Sequence, residues 1–314
     1  MTRSGWRVGA HPVKFDLMRV LIVGCGYVGL PLGETLVRRG HEVFGLRRST
    51  VADERLRASG IVPLHADISQ PDTLKVLPLG FDWVVHCAAT QGGGVEDYQR
   101  VYLHGNLNLI EWLGACPPRK FVYTSSTGVY GQNDGSVVTE ESPTAPGSPT
   151  AQVLVAAEQV LLAAAKEGRL PAVILRVAGI YGPGRGYWLR QFLSGQARLE
   201  GRGQRVLNMI HRDDLVSAIE TALVSGRPGE IYNVVDDEPV CQRDFFQWLA
   251  SQTGLPMPGA AESETSPLSS RAVTNKRVSN RKLRHELGWT LRYPTFREGC
   301  LAELQRISGP NAGP

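Results

Sequence analysis

Gly24-Cys25-Gly26-Tyr27-Val28-Gly29 is the most informative stretch of this chain. The apolar run Arg19-Val20-Leu21-Ile22-Val23 precedes it, and Leu30-Pro31-Leu32-Gly33-Glu34-Thr35-Leu36-Val37 follows. That order reads as strand, tight glycine turn and helix. In such a turn the first glycine bends the chain and the second lets backbone approach a pyrophosphate. The third lets helix and strand pack closely. The helix N-terminus adds unpaired N–H groups and the positive end of its dipole. Gly40 to Leu46 then reads as a turn and second strand. The stretch therefore predicts a dinucleotide site with Gly24, Gly26, Tyr27, Val28 and Gly29 at the phosphates.

On either side of later turns, Ile61–His65, Phe81–Cys87, Lys120–Ser125 and Ala172–Arg176 read as further strands. Val95–Ala115 and Pro149–Lys166 read as helices, the second opened by proline. Strands alternating with helices predict an α/β fold, a doubly wound parallel sheet covered on both faces. After Val177 the elements shorten. Gly179–Gly186 reads as a turn-rich loop. Helices are expected over Tyr187–Gln196, Asp214–Ser225 and Asp244–Thr253, and strands over Val206–Ile210 and Ile231–Val235. Asn280–Gly288 reads as a short helix with a glycine stop. Leu255–Ser270, rich in Pro, Ser, Ala and Glu, is expected to be a mobile loop.

Four segments follow from this rhythm. Residues 1–17 are expected to be a disordered extension, with Met18 the alternative natural start, a choice that intact mass decides. Residues 18–177 form the dinucleotide-binding domain. Residues 178–308 form mainly a smaller C-terminal α/β substrate lobe, and 309–314 a frayed tail. The ligand cleft is expected between the lobes, at the carboxyl ends of the strands.

Composition excludes several classes. The net charge is +4 and the basic residues are scattered, so nucleic acid is not an expected partner. No apolar run approaches the roughly 20 residues of a membrane span. The cysteines Cys25, Cys87, Cys116, Cys241 and Cys300 are odd in number and widely spaced. They give no disulfide framework and no metal motif, and a reducing cytoplasm is expected.

Further landmarks are His86-Cys87-Ala88-Ala89, Thr124-Ser125-Ser126-Thr127-Gly128-Val129-Tyr130-Gly131 and Arg176-Val177-Ala178-Gly179-Ile180-Tyr181-Gly182. Asn208 to Leu215, Ile231 to Asp237 and Leu287-Gly288-Trp289 continue the series. In their order and spacing these resemble the extended short-chain dehydrogenase/reductases, the NAD(P)-dependent epimerase/dehydratase family. The resemblance spans roughly residues 18–305 and implies a Rossmann-like domain. The family's chemistry normally rests on a Tyr-x-x-x-Lys pair, whose lysine lowers the pKa of the tyrosine so that it serves as acid/base. Here the matching positions hold Thr150 and Leu154, and Tyr102 stands where a helical asparagine is usual. A threonine hydroxyl is no phenolate, and leucine carries no charge. The chain thus resembles the atypical branch, with Ser126 the one inherited catalytic candidate.

Arg47-Arg48 ends the second strand, where an acidic residue would bind the ribose hydroxyls of NAD. A guanidinium suits a 2′-phosphate, so NADP is preferred over NAD. The resemblance puts Asp67 and Ile68 beside the adenine and Ala88 and Ala89 on the path to the nicotinamide. Tyr130 and Tyr102 are phenols that could replace the missing acid/base, and packing is the other reading of each. His211 before Asp213-Asp214 reads as a strand end, with Asp214 capping a helix. Arg185, Trp188, Arg202 and Arg205 are candidates for an anionic or nucleotide-linked substrate.

The resemblance implies an oxidoreductase or epimerase/dehydratase-like enzyme. Its expected substrate is a sugar nucleotide or another small hydroxyl or carbonyl compound, and a homodimer is implied. Loss of the Tyr–Lys pair supports a different reading, a non-catalytic NADP(H)-binding sensor or scaffold. A third is an isomerase or lyase without net redox.

Overall fold

The computed structural model describes residues 17–90, 92–261 and 274–308. The expectations for residues 1–16 and 309–314, and for most of the 255–270 loop, lie outside them. Seven parallel strands build one sheet. They are β1 (Arg19–Val23), β2 (Glu42–Arg47), β3 (Val62–His65), β4 (Trp83–His86), β5 (Lys120–Ser126), β6 (Ala172–Val177) and β7 (Ile231–Val234), in the order β7-β6-β5-β4-β1-β2-β3. The α/β, doubly wound expectation is met. The order reverses beside β1, between β2 and β4, and a ligand crevice belongs at that point.

The central strands are apolar throughout because both faces are covered. In β1, Val20 and Ile22 face one core with Leu32 and Leu36 of helix Gly29–Arg38 and with Leu215, Ile219 and Leu223 of helix Arg212–Ser225. Leu21 and Val23 face the other, with Leu109 and Leu113 of helix Gly105–Gly114 and Leu161 of helix Pro149–Lys166. A third cluster, holding Tyr181, Leu189, Leu207, Met209, Phe245 and Phe296, forms the core of the later segments. Residues 178–308 are not confined to it. Their strand β7 pairs with β6 from Ile231↔Ile174 to Val234↔Val177.

Three local readings need revision. The single helix expected over Val95–Ala115 is Val95–Tyr98, a π-helical stretch Gln99–His104, and Gly105–Gly114. Tyr102 lies in the π-helical stretch, the wider-turn geometry that often marks functional regions. The strand expected over Val206–Ile210 breaks at Asn208. Val206–Leu207 pairs antiparallel with Val240–Cys241, whereas Met209–His211 runs parallel to Gly179–Tyr181. Finally, helix Arg212–Ser225 is capped by His211, whose Nδ1 accepts from the Asp213 N–H at 3.2 Å. Asp214 is buried instead and accepts from the Arg292 and Tyr293 N–H groups at 2.6 and 3.0 Å.

Candidate functional site

The glycine turn sits at the carboxyl end of β1 and is stitched to β2. The Gly24 N–H donates to the Leu46 carbonyl at 3.0 Å. Gly24 has φ +89°, and a Cβ there would lie 2.4 Å from the Ala88 backbone. Only glycine permits both the turn and that approach. At Gly29 a Cβ would lie 2.6 Å from the Gly24 carbonyl oxygen and 2.9 Å from Ile22 Cγ2, so the third glycine is the packing glycine. Gly26 differs, because a Cβ there would have no neighbour nearer than the Gly24 oxygen at 4.0 Å. Among the described residues no acceptor meets the N–H groups of Tyr27 or Val28, and Val28, the N-cap, supplies no side-chain bond. Open space beside unspent donors at a helix N-terminus suits a phosphate. The dinucleotide expectation therefore has a shape to fit.

The other cofactor candidates gather round this turn. Arg47 Nη1 donates to the Cys25 carbonyl at 2.8 Å, so one arginine braces the turn while keeping further donors. Arg48 is more exposed and stands 3.9 Å from the Asp67 carboxylate. Asp67 Oδ1 accepts from the Ser69 N–H and hydroxyl at 2.9 and 2.7 Å, a local turn that fixes its carboxylate. Ile68 is buried in the core and packs on Gly105, with its carbonyl accepting from Asn108 Nδ2. Ala88 and Ala89 follow β4, with the Ala88 N–H bonded to His86 Nδ1 at 3.3 Å. Burial holds that histidine down to about 3, so it is a neutral acceptor.

Tyr27 reaches away from the turn. Its ring lies under the guanidinium groups of Arg185 and Arg212, at 5.0 and 5.4 Å. Burial pushes its phenol up to about 12. Arg185, expected at the substrate, thus contacts Tyr27 of the glycine turn, and Arg202 lies in an exposed turn.

The positions that the resemblance links to catalysis lie on β5 and helix Pro149–Lys166. Ser126 Oγ accepts from the Gly128 N–H at 3.0 Å, which leaves its own proton to donate. Thr150 Oγ1 lies 3.1 Å from Ser148 Oγ, the hydroxyl that caps the helix. Leu154 is buried in the core. Tyr130 is no substitute acid. Its fully buried hydroxyl donates to Asn233 Oδ1 at 2.8 Å and accepts from Arg176 Nη1 at 2.9 Å. Tyr102 is half-buried, and its hydroxyl accepts from the Thr90 N–H at 3.3 Å.

Beyond the end of β5 opens a cleft of about 620 Å³, a size that suits a small molecule. Thr127 and Gly128 line it from the 3-10 turn that follows β5, Tyr187 and Trp188 from the later segments, and Arg205 and Lys276 give it charge. Lys276 escaped sequence reading because neither period nor motif marks Thr274–Val278. Its only signal was a position just before the recognised helix and Leu-Gly-Trp ending.

The family model described as "NAD dependent epimerase/dehydratase family" matches residues 20–234. "Protein YeeZ" of Escherichia coli (strain K12) is 29% identical, over 88% of this chain and 97% of that one. A solved structure described as a functionally unknown conserved protein from Silicibacter pomeroyi DSS is 31% identical with TM-score 0.76, covering 92% of this chain and 99% of that one. MoeE5 in complex with UDP-glucose and NAD is 25% identical with TM-score 0.77, covering 92% and 99%.

Proposed function

Because the chain belongs to the NAD dependent epimerase/dehydratase family, we propose that it is an NAD(P)-dependent oxidoreductase or epimerase-like enzyme with an atypical acid/base set. The carrying observation is the turn itself: forced glycines at 24 and 29, open space beside Gly26, and N–H groups of Tyr27 and Val28 that meet no acceptor among the described residues. NAD is bound by MoeE5, and its nicotinamide supplies hydride transfer when bound. In this chain, Gly26 gives the pyrophosphate room and the Tyr27 and Val28 N–H groups receive it. Asp67, Ile68, Ala88 and Ala89 flank the rest of the nucleotide, in the proposed order from adenine to nicotinamide. Ser126 orients a substrate oxygen with its free proton, and the cleft beyond Thr127 holds the substrate body. Five free cysteines fit a reducing cytoplasm. Among the described residues no helix is long and apolar enough to cross a membrane.

NADP is the proposed nucleotide. Arg47 and Arg48 stand where β2 ends, with no carboxylate at either position to bind a 2′-hydroxyl. Fluorescence titration with NADPH and NADH tests this. NADPH should bind about tenfold more tightly or better, a margin that Arg48→Ala should reduce. Equal affinities unchanged by Arg47→Ala and Arg48→Ala overturn the nucleotide choice, and no binding of either overturns the enzyme reading. Leu154 in the core favours a second reading, a sensor that binds NADP(H) without chemistry. Binding without hydride exchange against any carbonyl substrate would select it.

A further inference from the structure

The cleft beyond β5 is unbalanced in charge. Among the described residues no aspartate or glutamate lines it, whereas Arg205 and Lys276 do. Arg205 is already paired, its Nη1 2.8 Å from Glu200 Oε2. Lys276 is 5% exposed and has no carboxylate partner among the described residues. Its ammonium donates to the Tyr130 carbonyl at 3.1 Å and the Thr274 hydroxyl at 2.7 Å, two neutral acceptors. One N–H remains unspent, since an ammonium has three. A buried charge left without a counter-charge is costly, and proteins rarely keep one idle.

The position is also rigidly built. Asn208 interrupts its strand to hold this segment: its Nδ2 donates to the Lys276 carbonyl at 2.9 Å, and its Oδ1 accepts from the Val278 N–H at 2.8 Å. On the other side, Arg277–Val278 pairs with Val137–Val138. Clamped from both edges, the lysine is held on the cleft wall rather than swung into solvent. The rest of the lining is largely apolar and aromatic, including Tyr187, Trp188, Leu189 and Phe245.

We propose that Lys276 is a substrate-binding residue and that this cleft takes a carboxylate carried on an apolar body, with the Lys276 ammonium as counter-ion. This rests on the reading of the cleft as the substrate site. A carboxylate is preferred to a phosphate because the lining has one uncompensated positive charge, which a monoanion neutralises. Burial, helped by the nearby Arg205, lowers the ammonium from 10.5 to about 8. The charged form is therefore held ready at neutral pH and lost in mild base.

Calorimetric titration of the full chain, with and without NADPH, by octanoate and by 3-phenylpropanoate, each against its primary amide, tests the proposal. At least one acid should bind about tenfold more tightly than its amide at pH 7, as a charge-assisted bond requires. The preference should fade above pH 8, vanish in Lys276→Met and persist in Lys276→Arg. NADPH affinity and melting temperature, measured on the same samples, separate a misfolded variant from one that has lost only the anion. Equal binding of acid and amide, a preference that survives Lys276→Met, or no binding of either acid overturns the proposal. Lysine-dependent binding of inorganic phosphate or UDP with no binding of the acids overturns the carboxylate class. If NADPH fails to bind while the acids bind through Lys276, the oxidoreductase reading fails and this inference stands.

Discussion

At the scale of single residues, the three glycines of the turn have separable duties. Gly24 answers to backbone geometry, Gly29 to packing, and Gly26 to an open space. Gly24→Ala should lower stability by about 2 kcal/mol or more, because it combines a left-handed φ with a backbone clash. Gly26→Ala meets nothing in the protein, so its stability should change by less than about 1 kcal/mol. Its methyl group fills the space proposed for the pyrophosphate, however, and NADPH affinity should fall by about tenfold or more. Chemical denaturation and fluorescence titration of the two variants check the split. A Gly26→Ala protein with unchanged NADPH affinity would remove the phosphate from that position. The sequence made all three glycines visible but not their separation, because a spacing pattern carries no information on what stands opposite each Cα. Lys276 was invisible for a related reason. Its importance comes from burial and from missing counter-charge, both set by Asn208 and Val138 far away in the chain.

At the scale of elements, the bounds of helix Pro149–Lys166 and its opening proline were legible to the residue, and the structure adds Ser148 as its cap. Its link to the sheet was not. Glu158, on its inner face, accepts from Ser125 Oγ at 2.6 Å and from Arg176 Nε and Nη2 at 3.1 and 2.8 Å. Both partners of the ion pair are almost wholly buried. This pair docks the helix on β5 and β6 and, through Arg176, holds Tyr130 on Asn233 of β7. Glu158→Gln strips a buried guanidinium of its counter-ion and should cost about 3–5 kcal/mol. Replacing both ends, as Glu158→Met with Arg176→Met, should cost less than the single change, because no charge is then left buried alone. Equilibrium denaturation of the singles and the double gives the comparison, and a double variant worse than Glu158→Gln would show that the pair does more than neutralise itself. The π-helical stretch and the break at Asn208 were hidden for a shared reason. Both are changes of hydrogen-bond partner, within a helix at Gln99–His104 and between strands at Asn208, and the apolar pattern records no partners.

At the scale of the molecule, the boundary after Val177 marks a change of rhythm and not a cut in the structure. Residues beyond it supply β7, which covers the edge of β6. They also supply helix Arg212–Ser225, whose Leu215, Ile219 and Leu223 lie on the core face of Val20, Ile22 and Val173. A fragment ending at Val177 would expose that apolar face and an unpaired strand edge, a combination that promotes aggregation. The full chain should therefore melt in a single transition with matching calorimetric and van't Hoff enthalpies, and the 18–177 fragment should not give a soluble cooperative fold. Because the proposed dinucleotide contacts all lie before residue 90, NADPH binding there also reads out the coupling. At about 100 times its dissociation constant it should stabilise the whole chain by about 2.7 kcal/mol. Differential scanning calorimetry with and without NADPH decides between the alternatives. If the halves are coupled through β7 and helix Arg212–Ser225, the one transition moves upward intact. Two transitions, of which NADPH raises only the first, would mean that the later residues fold apart from the sheet they complete.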